Sequence, residues 1–167
     1  MTGLDSLTIR VRAGDPERDL QALVALNAFV QDLHVAQEPM VFRPSSDMPD
    51  LESFHLSFMH EQDRHTFVAE AEGRVVGYVS LEVERREAHT FCWRRERLYV
   101  HQLSVHPDYR RRGVGRALMN RVDALAADLG VAEVALDTWQ FNSEGRRFFE
   151  GLGYTAYNIR LRKHLGE

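Results

Sequence analysis

Residues 98–118, LYVHQLSVHPDYRRRGVGRAL, restrict the fold more than any other part of the chain. Branched and aromatic side chains over residues 98–105 favour a strand. His106, Pro107, Asp108 and Tyr109 close it, because proline has no amide hydrogen for a sheet ladder. From Val114 onward the apolar residues Leu118, Val122, Leu125, Ala126 and Leu129 recur at helical spacing, and Gly130 supplies a stop. Gly113 and Gly115 therefore fall where the exit of a strand becomes the first turn of a helix. That turn carries amide hydrogens without intrahelical partners and the positive end of the helix dipole, so it suits an anion. Glycines let the main chain approach such an anion, and Arg110, Arg111 and Arg112 add charge. The same glycines would also serve as plain turn residues. The segment lacks the lysine and the serine or threonine of a nucleotide triphosphatase phosphate loop.

On either side of this segment the chain alternates strand and helix patterns. Residues 7–12 alternate as a first strand, and Gly14-Asp15-Pro16 offers a turn, a cap and a first-position proline for a helix over 16 to about 34. Residues 34–48 are irregular, interrupted by Pro39 and Pro44. They form either a surface connection or, through Met40, Phe42 and Arg43, a wall of a second-substrate site. Asp50 suits the cap of a short helix through Leu51, Phe54, Leu56 and Phe58 toward Glu61. Residues 66–71 and 75–83 read as two strands about a tight Glu72-Gly73-Arg74 turn, in a meander with 98–105. Residues 84–97 read as a charged connection, in which Trp93 sits among arginines as a solvated turn or an oligomer contact. Residues 131–138 form the next strand. Asn142 or Ser143 caps a helix over 144–152, and the alternation of YTAYNIRLRK predicts a closing strand over 154–163.

With 167 residues and 44% of them hydrophobic, one domain spanning 1–167 is expected. A net charge of -4 gives no general attraction for nucleic acid or anionic lipid. Cys92 is the only cysteine, and His55 and His60 do not share a helical face, so neither a disulfide nor a metal site is expected. Residues 1–12 lack the apolar core of a signal peptide and no stretch reads as a membrane span, which makes a cytoplasmic protein the expectation.

The pattern Arg-x-x-Gly-x-Gly after a strand, then an amphipathic helix, a strand near 133–138 and Asn142 followed by Phe148, Phe149, Gly153 and Tyr154, resembles the GCN5-related N-acetyltransferase (GNAT) superfamily. The resemblance covers roughly residues 8–163 in element order. It implies an α/β (α+β) fold with a mixed central sheet of about six or seven strands, a splayed parallel pair within it, and about four flanking helices. It also implies acetyl-CoA as the acetyl donor. Leu103, Ser104 and Val105 would follow the pantetheine arm, and Arg110, Arg111, Arg112, Gly113, Val114, Gly115 and Arg116 would meet the diphosphate. Asn142 and Phe149 would flank the arm near the sulfur.

The reaction implied is direct acetyl transfer to a primary amine, whether of a small molecule, a peptide N-terminus or a lysine. An alkyl amine with a pKa of roughly 10 is protonated at neutral pH, so the site needs a base. His101 is the candidate, expected on the face of Leu103 and Val105, with Tyr99 or Glu82 as relay; a hydrogen-bonded structural histidine is the other reading. Phe149 departs from the tyrosine common in the family, whose hydroxyl would protonate the leaving thiolate; Tyr154, Tyr157 or a water would have to replace it. Gly145 stands where alanine is common, a change expected to be mild. A non-catalytic coenzyme A-binding module is the alternative that Phe149 favours. The family also makes a homodimer a reasonable expectation.

Overall fold

The computed structural model describes residues 7–165. The reading of residues 1–12 thus falls, at 1–6, outside the described residues. These divide into two compact units, one ending at Asp137 and one beginning at Thr138.

The first unit contains β1 (Arg10–Ala13), α1 (Pro16–Gln37), α2 (Leu51–His60), β2 (Arg64–Ala71), β3 (Arg74–Arg86), β4 (Arg95–Val105), α3 (Val114–Leu129) and β5 (Val134–Leu136). The strands lie in chain order in one sheet, antiparallel except for β4 and β5, which run parallel. This is the mixed sheet with a parallel pair expected above, with five strands among the described residues rather than six or seven.

Local chemistry explains the helices. Asp15 caps α1 by accepting from the amides of Glu17 and Arg18 at 2.9 and 3.0 Å, and Pro16 takes the first helical position. The buried Asp19 carboxylate accepts from Arg12 at 2.6 and 2.8 Å and from the Asp15 amide at 2.7 Å. Burial opposes its ionisation, but these bonds outweigh burial and hold its pKa below the ordinary value. α1 and α2 cover one face of the sheet, where Leu23 and Leu26 pack on Val68 and Tyr78. α3 covers the other with Val114, Leu118, Met119 and Val122, all buried.

The largest difference from expectation is at residues 84–97, which are a continued hairpin rather than a loop. β3 and β4 stay paired out to Arg86 and Arg95, and a bridge between His89 and Cys92 closes the tip. Opposite charges face one another across the two strands: Arg97 pairs with Glu84, and Arg85 with Glu96 at 3.6 Å. Such cross-strand pairs support a ladder as apolar pairs do, which a reading by hydrophobic alternation misses. Phe91 and Trp93 stand at the tip, 89% and 91% exposed.

The second unit holds α4 (Ser143–Glu150). The closing strand expected over 154–163 is not formed: these residues carry no strand, and Ile159 and Leu161 are exposed. Alternation gives a strand only where a neighbouring strand takes the backbone bonds. Among the described residues no helix is long and apolar enough to cross a membrane.

His55 in α2 is 2% exposed, its Nε2 has no hydrogen-bond partner, and burial pushes its pKa down to about 4. The unfolded chain takes up this proton near the ordinary value of roughly 6.5, before the folded chain does, so stability is full above that pH and falls as pH drops toward 4. The loss from this residue is about 3 kcal/mol, and urea unfolding across pH 7 to about 4 should show it. His55→Phe should flatten that part of the slope.

Candidate functional site

One mismatch in the β3–β4 ladder organises the site. Ser80 lies opposite Gln102 and Leu81 opposite Val100, so His101 has no partner and forms a bulge. A bulge changes which face later side chains take. Ser104 Oγ donates to the Leu26 carbonyl of α1 at 2.6 Å, and Tyr78, opposite Ser104, donates to Gln102 at 2.9 Å, so Gln102 and Ser104 face α1. Leu103 and Val105 face α3. His101 lies on the side of α1 and α2, its ring 5.6 Å from Phe58 of α2 and 5.0 Å from Tyr99. The expectation that His101 shares a face with Leu103 and Val105 is therefore corrected, while its sharing a face with Tyr99 and Glu82 stands.

The bulge also decides which backbone groups are open. The Ser104 carbonyl packs on Gly77 of β3, and the His106 amide donates to the Val76 carbonyl at 2.8 Å. Since backbone groups alternate along a strand, those of Leu103 and Val105 point to the opposite edge. β5 does not cover that edge: its ladder with β4 has only Leu98, Val100 and Tyr99 opposite Val134, Leu136 and Ala135. The β4–β5 ladder thus ends at Val100, short of Leu103 and Val105. Arg110 Nε donates to the Val105 carbonyl at 3.2 Å, tying this edge to the following loop.

That loop ends in an uncapped helix. α3 has no side-chain cap and no acidic residue in its first turn; α1 and α4 are capped by Asp15 and Asn142, and α2, whose expected cap Asp50 makes no such bond, carries Glu52 in its first turn. The amides of Val114, Gly115 and Arg116 thus meet the requirement for an anion site at a helix start. Arg111 and Gly113 both take left-handed backbone, φ 59° and 89°, shaping successive amides into a concavity. Nothing lies closer than Ile9, at 3.7 Å, to where a Cβ on Gly113 would stand. The loop is anchored through Tyr109, which is buried, bonded to Glu72, and flanked by the guanidinium groups of Arg74 and Arg112 at 5.0 and 5.2 Å.

Where β4 and β5 part, polar side chains gather on the α1 and α2 face. His101 Nε2 is 3.3 Å from Glu82, which also accepts from Arg64 at 3.2 Å. A carboxylate only accepts, so an Nε2–H turned to Glu82 would leave Nδ1 as the acceptor nitrogen of the ring. Tyr99 donates to Asp137 at 2.7 Å. Asp137 went unnoticed in the sequence, where one acid at a strand end carries no signal. Nearby, a cavity of about 210 Å³ is lined by Asn27, Gln31, Arg43, Met48, Phe54 and Gln102. Of the three residues expected to wall a second-substrate site only Arg43 lines this cavity. Met40 is exposed, and Phe42 stacks on His34 at 4.8 Å.

Asn142 and Phe149 belong to the second unit. Asn142 Oδ1 accepts from the Gly145 amide at 3.0 Å as the cap of α4. A Cβ on Gly145 would come within 2.5 Å of the Asn142 side-chain amide, so a larger residue there would have to displace that cap. Phe149 packs edge-on against Tyr154, ring centroids 5.6 Å apart.

The chain matches the Acetyltransferase (GNAT) family over residues 27–154. It is 33% identical over 110 residues to human N-acetyltransferase 8, covering 65% of this chain and 45% of that protein. The chain spans about half the length of the curated relatives it matches. Among solved structures, the tetramutant of the BH1408 protein of Bacillus halodurans superposes with a TM-score of 0.88 at 18% identity, covering 93% of this chain and 99% of that one. Aminoglycoside N-acetyltransferase AAC(6')-Iy in complex with CoA gives a TM-score of 0.72 at 19% identity, covering 98% and 100%. These two likenesses establish the fold.

The left-handed backbone at residue 113 carries a measurable cost for any side chain. Because the space there is open, Gly113→Ala should destabilise by about 1–2 kcal/mol through backbone strain alone, and Gly113→Asn by less. Urea unfolding should give the order glycine, asparagine, alanine.

Proposed function

Since the chain belongs to the Acetyltransferase (GNAT) family, we propose that it is an acetyl-CoA-dependent N-acetyltransferase acting directly on a primary amine of a small molecule, a peptide N-terminus or a lysine. The observation that carries this reading is the continuity of two open binding features. The edge at Leu103 and Val105, which β5 does not pair, leads into an uncapped helix N-terminus, as an amide-bearing arm joined to a diphosphate requires.

The residues present fit that donor. Leu103 and Val105 hold the arm by backbone bonds, with Ser104 between them fixed to α1. The amides of Arg111, Arg112, Gly113, Val114, Gly115 and Arg116 receive the diphosphate, and Arg110 and its neighbours add charge. The family match runs through both compact units, which supports reading them as one catalytic domain.

Acetyl-CoA, when bound, supplies an acyl thioester; the protein supplies orientation and proton management. His101 Nδ1 takes the proton from the acceptor's ammonium: an N–H bond of the amine breaks and an Nδ1–H bond forms. Glu82 then faces an imidazolium and stabilises it. The cavity beside Gln102 holds the rest of the acceptor, on the same face as His101. Phe149 has no proton to give, so release of the thiolate relies on its own stability, with a thiol pKa of roughly 8.5. That residue also favours a second reading, a coenzyme A-binding module without catalysis.

Thiol release from acetyl-CoA with a panel of amines separates the two readings. Stimulation by an amine supports the enzyme, whereas tight binding without stimulation supports the module. Gly113→Val should weaken coenzyme A binding by about tenfold in calorimetry, as bulk closes the approach to the amides. His101→Gln should lower kcat by roughly 100-fold and leave the coenzyme A Kd unchanged.

A further inference from the structure

We propose that Asp137 is a positioning residue for the acceptor side of this reaction, acting through Tyr99. The inference rests on the acetyltransferase reading above. The β4–β5 ladder ends at Val100 opposite Leu136, so His101 is the first residue of β4 past it and Asp137 is the residue that follows β5. Tyr99 lies opposite Ala135, and Asp137, two residues further on, comes to the same face. Tyr99 thus stands between the two, its ring 5.0 Å from His101 and its hydroxyl 2.7 Å from Asp137.

A phenol has one proton and a carboxylate only accepts, so the Tyr99 proton is directed to Asp137. The Tyr99 oxygen can then take part in any further bond only as an acceptor. An incoming ammonium offers N–H donors and nothing else, so Tyr99 is preset to receive it and turn it toward His101. The same commitment removes Tyr99 as a proton donor to the leaving thiolate.

The other acids around this face are each paired with an arginine. Glu82 is held by Arg64, Glu84 by Arg86 and Arg97, and Glu70 and Asp19 by Arg12. Asp137 is exposed and, among the described residues, has no cation within ion-pair distance; its hydrogen bond comes from Tyr99 alone. Its one observed task is to orient that hydroxyl.

The test uses an amine that the wild-type chain acetylates, and compares Asp137→Asn, Asp137→Glu, Tyr99→Phe and the double variant Asp137→Asn/Tyr99→Phe. Asp137→Asn should raise the amine KM about tenfold, with the acetyl-CoA KM and the melting temperature unchanged. Calorimetric titration of the same amine into the protein saturated with coenzyme A, where no transfer occurs, should show the same tenfold weakening. Asp137→Glu should recover most of it. The double variant should be no worse than Tyr99→Phe, since the two act as one unit. Unchanged amine affinity in Asp137→Asn, or losses that multiply in the double variant, would overturn the assignment while leaving the acetyltransferase reading intact. If the wild-type chain releases no thiol with any amine, that reading fails and the role of Asp137 falls with it.

Discussion

His101, the residue of β4 without a partner in β3, governs the geometry of this protein more than any ion pair or hydrophobic contact does. A strand in perfect register would carry His101, Leu103 and Val105 on one face, and the backbone groups at its open edge would belong to other residues. The extra residue turns the histidine toward α1 and α2, with Tyr99 and Glu82, and turns Leu103 and Val105 toward α3 with their amides at the edge that β5 does not pair. The chemistry proposed for the donor and for the acceptor is thereby divided between the strand's edge and one of its faces, at a single place.

The charges follow the same division. Arginines and acids on the strands are mostly paired with each other: Arg12 joins Asp19 and Glu70, and Arg85 joins Asp63 and Glu96. Such pairs orient side chains and neutralise one another at short range. Around α3 the balance differs. No acid lies in its first turn, no side chain caps it, and the arginines that precede it are on the surface. An anion arriving there meets partial positive charge from the main chain and full charge from the guanidinium groups, with no internal competitor.

Much of this was legible in the amino-acid order. Pro107, Gly113 and Gly130 mark the ends of elements by backbone chemistry that depends little on context, and the apolar spacing of α3 is regular. What was illegible depended on partners distant in sequence. The hairpin over 84–97 is held by charge pairs that a hydrophobic pattern does not register, and the β4 bulge exists only relative to β3, so the side chain direction of His101 could not be read from alternation. Asp137 owes its interest to Tyr99, 38 residues earlier in the chain. The alternation of residues 154–163 is real, but it did not decide the outcome: these residues carry no strand.

Tyr109 gives the glycine loop a further property. Its ring lies between two guanidinium groups and its hydroxyl is bonded to Glu72, at the turn joining β2 and β3. The loop is therefore fastened to a rigid hairpin before any ligand arrives, and the entropy of arranging it is lost during folding rather than on association. Were the loop to receive a diphosphate, as proposed, association would be a docking event, with a rate set by diffusion and by the surface arginines rather than by the slow closing of a flap.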